Sequence, residues 1–496
     1  MSKLSKRKPH TTEPKDRKLL LSPSPYTKKD LTNSQVKAVD VFDDWYRSKK
    51  KKDKPILRIG GPAGTGKSVL IKYLIDHYGF DAKDCYVLTY TGQATNRLRK
   101  DGIMSRTIHS TIMYTVDEQV LDDKGKPITR RGVPLIRVTF KPVKRLPNAV
   151  KLIIIDEASF LPEKLEKTLL GYNVPILETG DPLQLPPVAG KQVFNEDNVD
   201  FMMTDVIRQH MDSELYEVIN KIRLRENIDT HKYHNEVLFL YQQPTIEETF
   251  YRFKPFFKNA DVIIVATNKT RQIITELYRK EIVKTNSPYP REGERLICRQ
   301  NNQQLTIDQY MLANGMQGTA LHGVGRSLVE KTADIFYLDF QPDVTRDIES
   351  AGETYFVNLP CNIERLLAPF GTLKMDLKYA TVGEHMEYAY ALTAHLLQGS
   401  EHDNVLFIDS YSRDYDYLMR LRYVAASRAR KHLTYLIPYS KYGPWFDLSH
   451  IEERMAAIAE EQQRIDNERR RLMEEREARI KEIASITGPR SVGLPT

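Results

Sequence analysis

The stretch Gly60-Gly61-Pro62-Ala63-Gly64-Thr65-Gly66-Lys67-Ser68 constrains the fold of this chain more than any other. Counted from Gly61, it fits the spacing G-x-x-x-x-G-K-[ST] of a phosphate-binding loop. The apolar run Ile56-Leu57-Arg58-Ile59 leads in as a buried strand, and Val69-Leu70-Ile71-Lys72-Tyr73-Leu74-Ile75 leads out at helical spacing. In that order, Gly61, Gly64, Thr65 and Gly66 let successive backbone N–H groups turn inward around phosphates. The helix N-terminus behind them adds its positive dipole end. Lys67 is placed to reach the β- and γ-phosphates, and the Ser68 hydroxyl to ligate Mg²⁺. A glycine-rich turn that binds nothing is the competing reading, and the register of strand, loop, Gly-Lys-Ser and helix disfavours it. A nucleoside triphosphate site follows.

At 496 residues the chain is long enough for about three domains with cores of their own. Its cysteines, Cys85, Cys298 and Cys361, are scattered and odd in number, which points to free thiols in a reducing compartment. No apolar run approaches the ~18 residues of a membrane helix, and the N-terminus lacks the apolar core of a signal peptide. A soluble intracellular protein without a membrane partner is expected. The formal net charge is +8, but residues 1–60 hold 17 Lys/Arg against 7 Asp/Glu, so the rest of the chain is close to neutral. The positive charge therefore belongs to the N-terminal region and is not by itself evidence for a nucleic-acid groove. Residues 1–29, rich in Lys, Ser, Thr and Pro with little to bury, read as a disordered basic arm.

Leu31-Thr32-Asn33-Ser34-Gln35 opens a helix with polar residues to cap it. An amide donates and accepts side by side, so Gln35, just upstream of the loop's strand, is a candidate for an adenine edge. A second buried strand, Cys85-Tyr86-Val87-Leu88-Thr89, runs into Tyr90-Thr91-Gly92-Gln93-Ala94-Thr95, and Arg106-Thr107-Ile108-His109-Ser110 repeats the idea. Small hydroxyl residues at the strand ends of a parallel sheet suit a backbone phosphate, which makes Thr91 and Thr107 candidates for a nucleic acid. A single histidine such as His109 is more often structural, and is carried as a contact only beside them. No Cys or His pair has metal spacing, so zinc is not expected. Residues 112–148 change character. Asp122-Asp123-Lys124-Gly125-Lys126-Pro127 is a strong turn between β-prone segments, as in a small β-insertion.

The strand Lys151-Leu152-Ile153-Ile154-Ile155 ends in Asp156-Glu157-Ala158-Ser159. Two acids at a strand's carboxyl end are the partner a phosphate loop requires: Asp156 to bind Mg²⁺ through water or Ser68, and Glu157 to polarise the water attacking the γ-phosphate. A third strand within Val174-Pro175-Ile176-Leu177-Glu178-Thr179-Gly180 delivers Asp181 and Gln184 to the same edge. The Gln184 amide can pair with both phosphate and water.

This order of elements resembles the superfamily 1 helicases of the B branch, close to the phage Dda-type and RecD-like enzymes. Asp156-Glu157-Ala158-Ser159 and Gly180-Asp181-Pro182-Leu183-Gln184-Leu185-Pro186-Pro187 favour that branch over the UvrD-like one. Val206-Ile207-Arg208-Gln209 resembles the element whose Arg touches the γ-phosphate from the cleft. Asp261-Val262-Ile263-Ile264-Val265-Ala266-Thr267-Asn268 resembles the first strand of the second RecA-like core, with Asn268 on the nucleic-acid side. Tyr390-Ala391-Leu392-Thr393-Ala394-His395-Leu396-Leu397-Gln398-Gly399-Ser400-Glu401 resembles the motif whose Thr393 and His395 lie near DNA, and whose Glu401 belongs to the nucleotide side. Arg422-Tyr423-Val424-Ala425-Ala426-Ser427-Arg428-Ala429-Arg430 resembles the last motif, whose Arg428 completes the ATP site. Relatives usually carry Lys where this chain has Leu396.

The resemblance covers about residues 26–440. It implies an α/β fold with two RecA-like P-loop NTPase cores, parallel sheets flanked by helices, small β insertions and a C-terminal charged helix. The expected boundaries are a basic arm at 1–29, a first core at 30–205 with its insertion at 112–148, a second core at 206–290 and 381–447, a β-rich inserted domain at 291–380, and a charged helix and tail at 448–496. It further implies ATP and Mg²⁺ as cofactors, movement 5′ to 3′, and single-stranded DNA and its junctions with duplex as partners. Replication or recombination proteins are further partners, and the cytoplasm of a bacterium or phage-infected host is favoured over a nucleus. An RNA-directed helicase of the same branch and a P-loop clamp that does not unwind are the alternatives. In the C-terminal helix, Glu460/Arg464, Asp466/Arg470 and Glu475/Arg479 are favourable i,i+4 pairs. Its apolar positions make only half a coiled-coil seam, so a monomer is expected, with dimerisation through this helix as the alternative.

Overall fold

The computed structural model describes residues 26–439, with breaks at 49, 131–132, 135, 188–189, 206–212, 308–309, 323–328, 331–334, 346–353, 369–376, 379–382 and 398, and six positions between 460 and 471. Residues 1–25 of the expected arm, and most of the C-terminal helix, lie outside the described residues. The arm's expected limit at residue 29 moves. Lys28–Asp30 form a helical turn capped by Thr27, because the Asp30 carboxylate accepts from both the Thr27 N–H and its hydroxyl.

The first core runs α1 (Asn33–Arg47), β1 (Ile56–Gly60), α2 (Lys67–His77), β2 (Cys85–Thr89), α3 (Gly92–Lys100) and β3 (Ser105–Thr107). A hairpin of β4 (Met113–Gln119) and β5 (Ile136–Pro142) follows, then β6 (Leu152–Asp156), β7 (Ile176–Gly180) and β8 (Phe201–Met202). The sheet order is β8-β1-β7-β6-β2-β3, and every pairing is parallel. All five residues of β6 and of β7 are buried, as central strands covered on both faces must be. The expected β-insertion is present as the antiparallel β4–β5 hairpin.

After α4 (Glu214–Leu224), the chain enters a second parallel sheet with β9 (Val237–Tyr241), β10 (Val262–Val265) and α5 (Asn268–Tyr278). It leaves for an antiparallel domain of β11 (Arg295–Cys298), a small hairpin β12 (Asn302–Ile307) and β13 (Tyr310–Leu312), then β14 (Gln317–Ala320), β15 (Ile335–Pro342) and β16 (Phe356–Asn362). Next, β17 (Leu377–Lys378) pairs back onto β5 of the first core's hairpin, and β18 (Met386–Tyr388) pairs with β11. The chain then returns through β19 (Ala391–Thr393), β20 (His402–Ile408), α6 (Tyr415–Ala426) and β21 (Ala429–Ile437). The second sheet has the order β9-β21-β20-β10-β19, again parallel.

Two expectations shift here. Val262–Val265 is not the first strand of the second sheet in the chain, since β9 precedes it and takes the edge beside β21. The inserted domain also reaches past residue 380, because Met386 and Tyr388 still register against Cys298 and Leu296. Leu396 packs against the second core's apolar cluster, so this position serves packing here.

One buried charge group braces the first sheet. Arg58 on β1 registers beside Glu178 on β7, donates from Nε to its carboxylate at 2.9 Å, and pairs with Glu166 as well. Glu178 is fully buried and its Oε1 has no partner among the described residues. Burial pushes its pKa up to about 8, with Arg58 pulling the other way and Glu166 adding like-charge repulsion. A carboxyl whose folded pKa is raised contributes stability that is complete below its unfolded value and is lost as pH rises through the folded one. Between about pH 4.5 and 8 the parent protein should therefore lose stability relative to Glu178→Gln, and urea unfolding across that window checks the sign.

Candidate functional site

Strand β1 ends where the phosphate loop begins, and the backbone geometry explains the glycines. Gly66, the residue before α2, sits at φ 76°, and a Cβ on Gly61 would lie 2.5 Å from Thr65 Oγ1. Thr65 is fully buried and its hydroxyl donates to the Pro62 carbonyl at 2.9 Å. Lys67 Nζ curls back to donate to the carbonyls of Gly61 (2.8 Å) and Pro62 (3.1 Å). Together with Gly64, Ser68 and Glu157, it faces a cavity of about 310 Å³.

The wall of that cavity is shared. The first core contributes the loop, Arg97, Glu157 and Gln184, while Glu401 and Arg428 come from the second. Tyr26, from the segment before α1, supplies the one aromatic ring among the lining residues. Arg428 is buried; Nε donates to Val424 O (3.0 Å), Nη1 to Ser400 O (3.1 Å) and Nη2 to the Ser427 hydroxyl (2.9 Å). Burial lowers its pKa, and Glu157 pulls the other way.

Asp156 ends β6, with Oδ1 accepting from Thr179 Oγ1 at 2.8 Å and Oδ2 from Arg97 Nη2 at 3.0 Å. Glu157 follows at φ 57°, a left-handed conformation that costs a non-glycine residue about 1–3 kcal/mol and is held here at the pocket wall. Its Oε1 accepts from Arg97 Nη1 at 3.2 Å, and its Oε2 is buried without a partner among the described residues. Burial works to raise both pKa values. It prevails at Asp156, whereas at Glu157 it is outweighed by Arg97, Lys67 and Arg428, which hold the group below its ordinary value. Ser68 and Glu157 lie on the pocket wall, and the orphaned Glu157 Oε2 is the kind of oxygen donor a hard divalent cation takes, while both Asp156 oxygens are engaged by Thr179 and Arg97.

The remaining candidates separate into those the structure brings together and those it does not. Gln184 is buried on the pocket wall. Gln35 is not on that wall. Its Oε1 accepts from the Thr32 N–H (2.8 Å) and its Nε2 donates to the carbonyls of Thr65 (3.3 Å) and Gly66 (3.1 Å), so it clamps the loop's backbone rather than facing a base. Arg208 lies outside the described residues. Thr91 and Thr107 sit at the carboxyl edge of the first sheet, where Thr89 registers with Thr107 and with Asp156. Thr107 is a correction: it is buried, and its hydroxyl accepts the Ser110 N–H at 3.2 Å as a helix cap. Thr91 caps α3 in the same way through Ala94 but stays half-exposed. His109 packs edge-on against Tyr90 and Phe140, and burial lowers its pKa. On the second sheet Val265 registers with Thr393, which puts Thr393 and exposed Asn268 at one carboxyl edge. His395 stacks on Tyr417.

Sequence reasoning passed over three residues. Arg97 bridges both acids from α3, and no local motif announces it. Tyr423 crosses between the cores: its hydroxyl donates to Asp181 Oδ2 at 2.5 Å and accepts from the Ala63 N–H at 3.3 Å. Arg420 crosses beside it, donating to the carbonyls of Pro182 (2.8 Å) and Gln184 (3.1 Å).

Residues 48–239 match the family described as AAA domain, and residues 388–436 match the UvrD-like helicase C-terminal domain. The ATP-dependent DNA helicase dda of Enterobacteria phage T4 is 28% identical over 169 residues, which cover 32% of this chain and 33% of that protein, so the match spans about a third of the curated relative. Among solved structures, Pif1 helicase from Bacteroides in complex with ADP-AlF3 and ssDNA is 18% identical, with a TM-score of 0.47 over 87% of this chain and 98% of that one. Pif1 helicase from Candida albicans is 16% identical, with a TM-score of 0.45 over 86% of this chain and 99% of that one.

The Tyr423 contact gives a direct test of the joint between the cores. Tyr423→Phe leaves the ring in place and strips buried Asp181 of its donor, which should cost about 1–3 kcal/mol. Urea unfolding of the full chain measures it, and a variant as stable as the parent would show that the contact is not made in solution.

Proposed function

We propose that this chain is an ATP- and Mg²⁺-dependent DNA helicase of the superfamily 1B type, moving 5′ to 3′ on single-stranded DNA. The observation that carries the proposal is the shared pocket: the phosphate loop and Glu157 come from one parallel core, Arg428 and Glu401 from the other. A P-loop clamp needs no second core at its phosphates. A motor does, because closing and opening that cleft is how hydrolysis becomes movement. The similarity to dda, a DNA helicase by name, supports the substrate class.

In this reading Lys67 exchanges the Gly61 and Pro62 carbonyls for the β- and γ-phosphates, a swap of acceptors that costs it no desolvation. Ser68 and Asp156 would hold Mg²⁺, which would supply positive charge beside the phosphates. Glu157, kept ionised by the cations around it, takes the proton of the attacking water. Gln184 holds that water against the γ-phosphate. Arg428, with Arg208, supplies positive charge from the far side of the cleft as negative charge spreads over the transferred group. Tyr26 offers a ring face to the base, and Thr91, Asn268, Thr393 and His395 line the two carboxyl edges along which a strand would lie.

Glu157→Gln should keep nucleotide binding and nearly abolish turnover. Arg208→Ala and Arg428→Ala should each lose ~10³-fold in rate with far smaller losses in binding. ATPase rates with no nucleic acid, single-stranded DNA and single-stranded RNA separate a DNA from an RNA enzyme. For direction, a duplex with a 5′ single-stranded tail should open and one with only a 3′ tail should not. Opening of the 3′-tailed duplex alone would remove the chain from this branch.

A further inference from the structure

We propose that Arg97 is a built-in counter-cation that keeps Asp156 and Glu157 paired to the protein until single-stranded DNA, bound at the N-terminus of α3, draws it away. This rests on the helicase reading for the identity of the strand, but not for the competition at the carboxylates.

The pairing engages carboxylate oxygens that a cation would use. With Arg97 Nη2 on Asp156 Oδ2 and Thr179 Oγ1 on Oδ1, both oxygens of the aspartate are engaged, and Arg97 Nη1 holds Glu157 Oε1. A divalent ion reaching Asp156 meets a guanidinium already there, with Lys67 also facing the pocket. Like charges packed together in a poorly hydrated site oppose one another strongly, so Arg97 and the metal compete. The arginine is also incompletely satisfied, because its Nε is buried with no partner among the described residues. A structural ion pair would ordinarily have its donors filled.

The helix that carries Arg97 is placed to move it. Helix α3 begins at Thr91, on the sheet edge assigned to the strand, and is nine residues long. Its N-terminal half packs on the inserted domain: a Cβ on Gly92 would lie 2.5 Å from Ala313 Cβ, and Asn96 Nδ2 donates to Met311 O at 3.1 Å. One rigid element therefore touches the strand's edge, the inserted domain and the catalytic acids. A shift of α3 that improves the fit of a strand at Thr91 also withdraws Arg97. Coupling requires the two states to differ in contacts at both sites, here the Arg97 bonds to the acids at one and the approach of a strand to Thr91 at the other.

The test uses the full chain. Without DNA, Arg97→Gln should raise the ATPase rate and lower the Mg²⁺ concentration needed to bind a fluorescent ADP analogue, each by about 5- to 150-fold, the range of ordinary allosteric couplings. With saturating oligo(dT), the variant and the parent should differ little in either measure. Arg97→Lys, which keeps one charge but not the fork, should fall between them, and it carries the test should the glutamine variant fail to fold. An unchanged Mg²⁺ midpoint in the DNA-free variant overturns the proposal. So does a loss of rate with and without DNA alike, which would make Arg97 an aid to catalysis. Should the parent's ATPase prove indifferent to DNA, the helicase reading fails, while the Mg²⁺ midpoint of the variant still decides whether Arg97 competes with the metal.

Discussion

Three carboxylates, Asp156, Glu157 and Asp181, are buried at the ends of two neighbouring strands of one sheet, and everything around them is arranged to make that tolerable. An ionised group taken out of water costs several kcal/mol unless cations and donors replace its hydration. Here the replacements come from far apart in the chain: Thr179 from β7, Arg97 from α3, Lys67 from the loop, Arg428 and Tyr423 from the second core. Separating the cores would remove Tyr423 from Asp181 and the positive field of Arg428 from Glu157. The electrostatics of the acids is thus also an attraction between the two halves of the molecule.

Much of this was legible in the sequence, and the limit of legibility is physical. The loop from Gly61 to Ser68 and the acids at the end of β6 are local: each is a short run whose chemistry is complete within a few residues. The compensating groups are not local. Arg97 reads as one of three basic residues, with Arg99 and Lys100, near the C-terminus of a helix, where basic residues already suit the dipole. Tyr423 reads as one aromatic among the apolar residues of α6. Only the fold shows that each reaches a buried acid.

Gln35 marks a different limit. Its approach to an adenine edge was inferred from what an amide can do, yet Thr32-x-x-Gln35 is also the spacing of a capping box, and that is how the residue is used. The same competition decides Thr107, whose hydroxyl caps a helix. In both cases the local demand of the backbone is present in the sequence and takes the side chain before a ligand can. Strand order was hidden for another reason. The apolar run Val237–Tyr241 shows that a strand exists, but its place beside β21 depends on a pairing nearly two hundred residues away.

The segment after β7 joins these threads. Asp181 is the first residue beyond a strand of the first core, and four residues later Leu185 is fully buried in the apolar cluster of the second, with Leu183 packed on its surface. Burying a leucine is worth about 1.5–3 kcal/mol, enough to hold the segment to the second core through ordinary fluctuations. Between those anchors sits Gln184, its side chain on the pocket wall and its carbonyl held by Arg420 of the second core. A chain this short cannot absorb a relative movement of its two ends without changing its own shape. Any change in the cleft is therefore delivered to Gln184, and any demand a phosphate makes on Gln184 is felt by both cores.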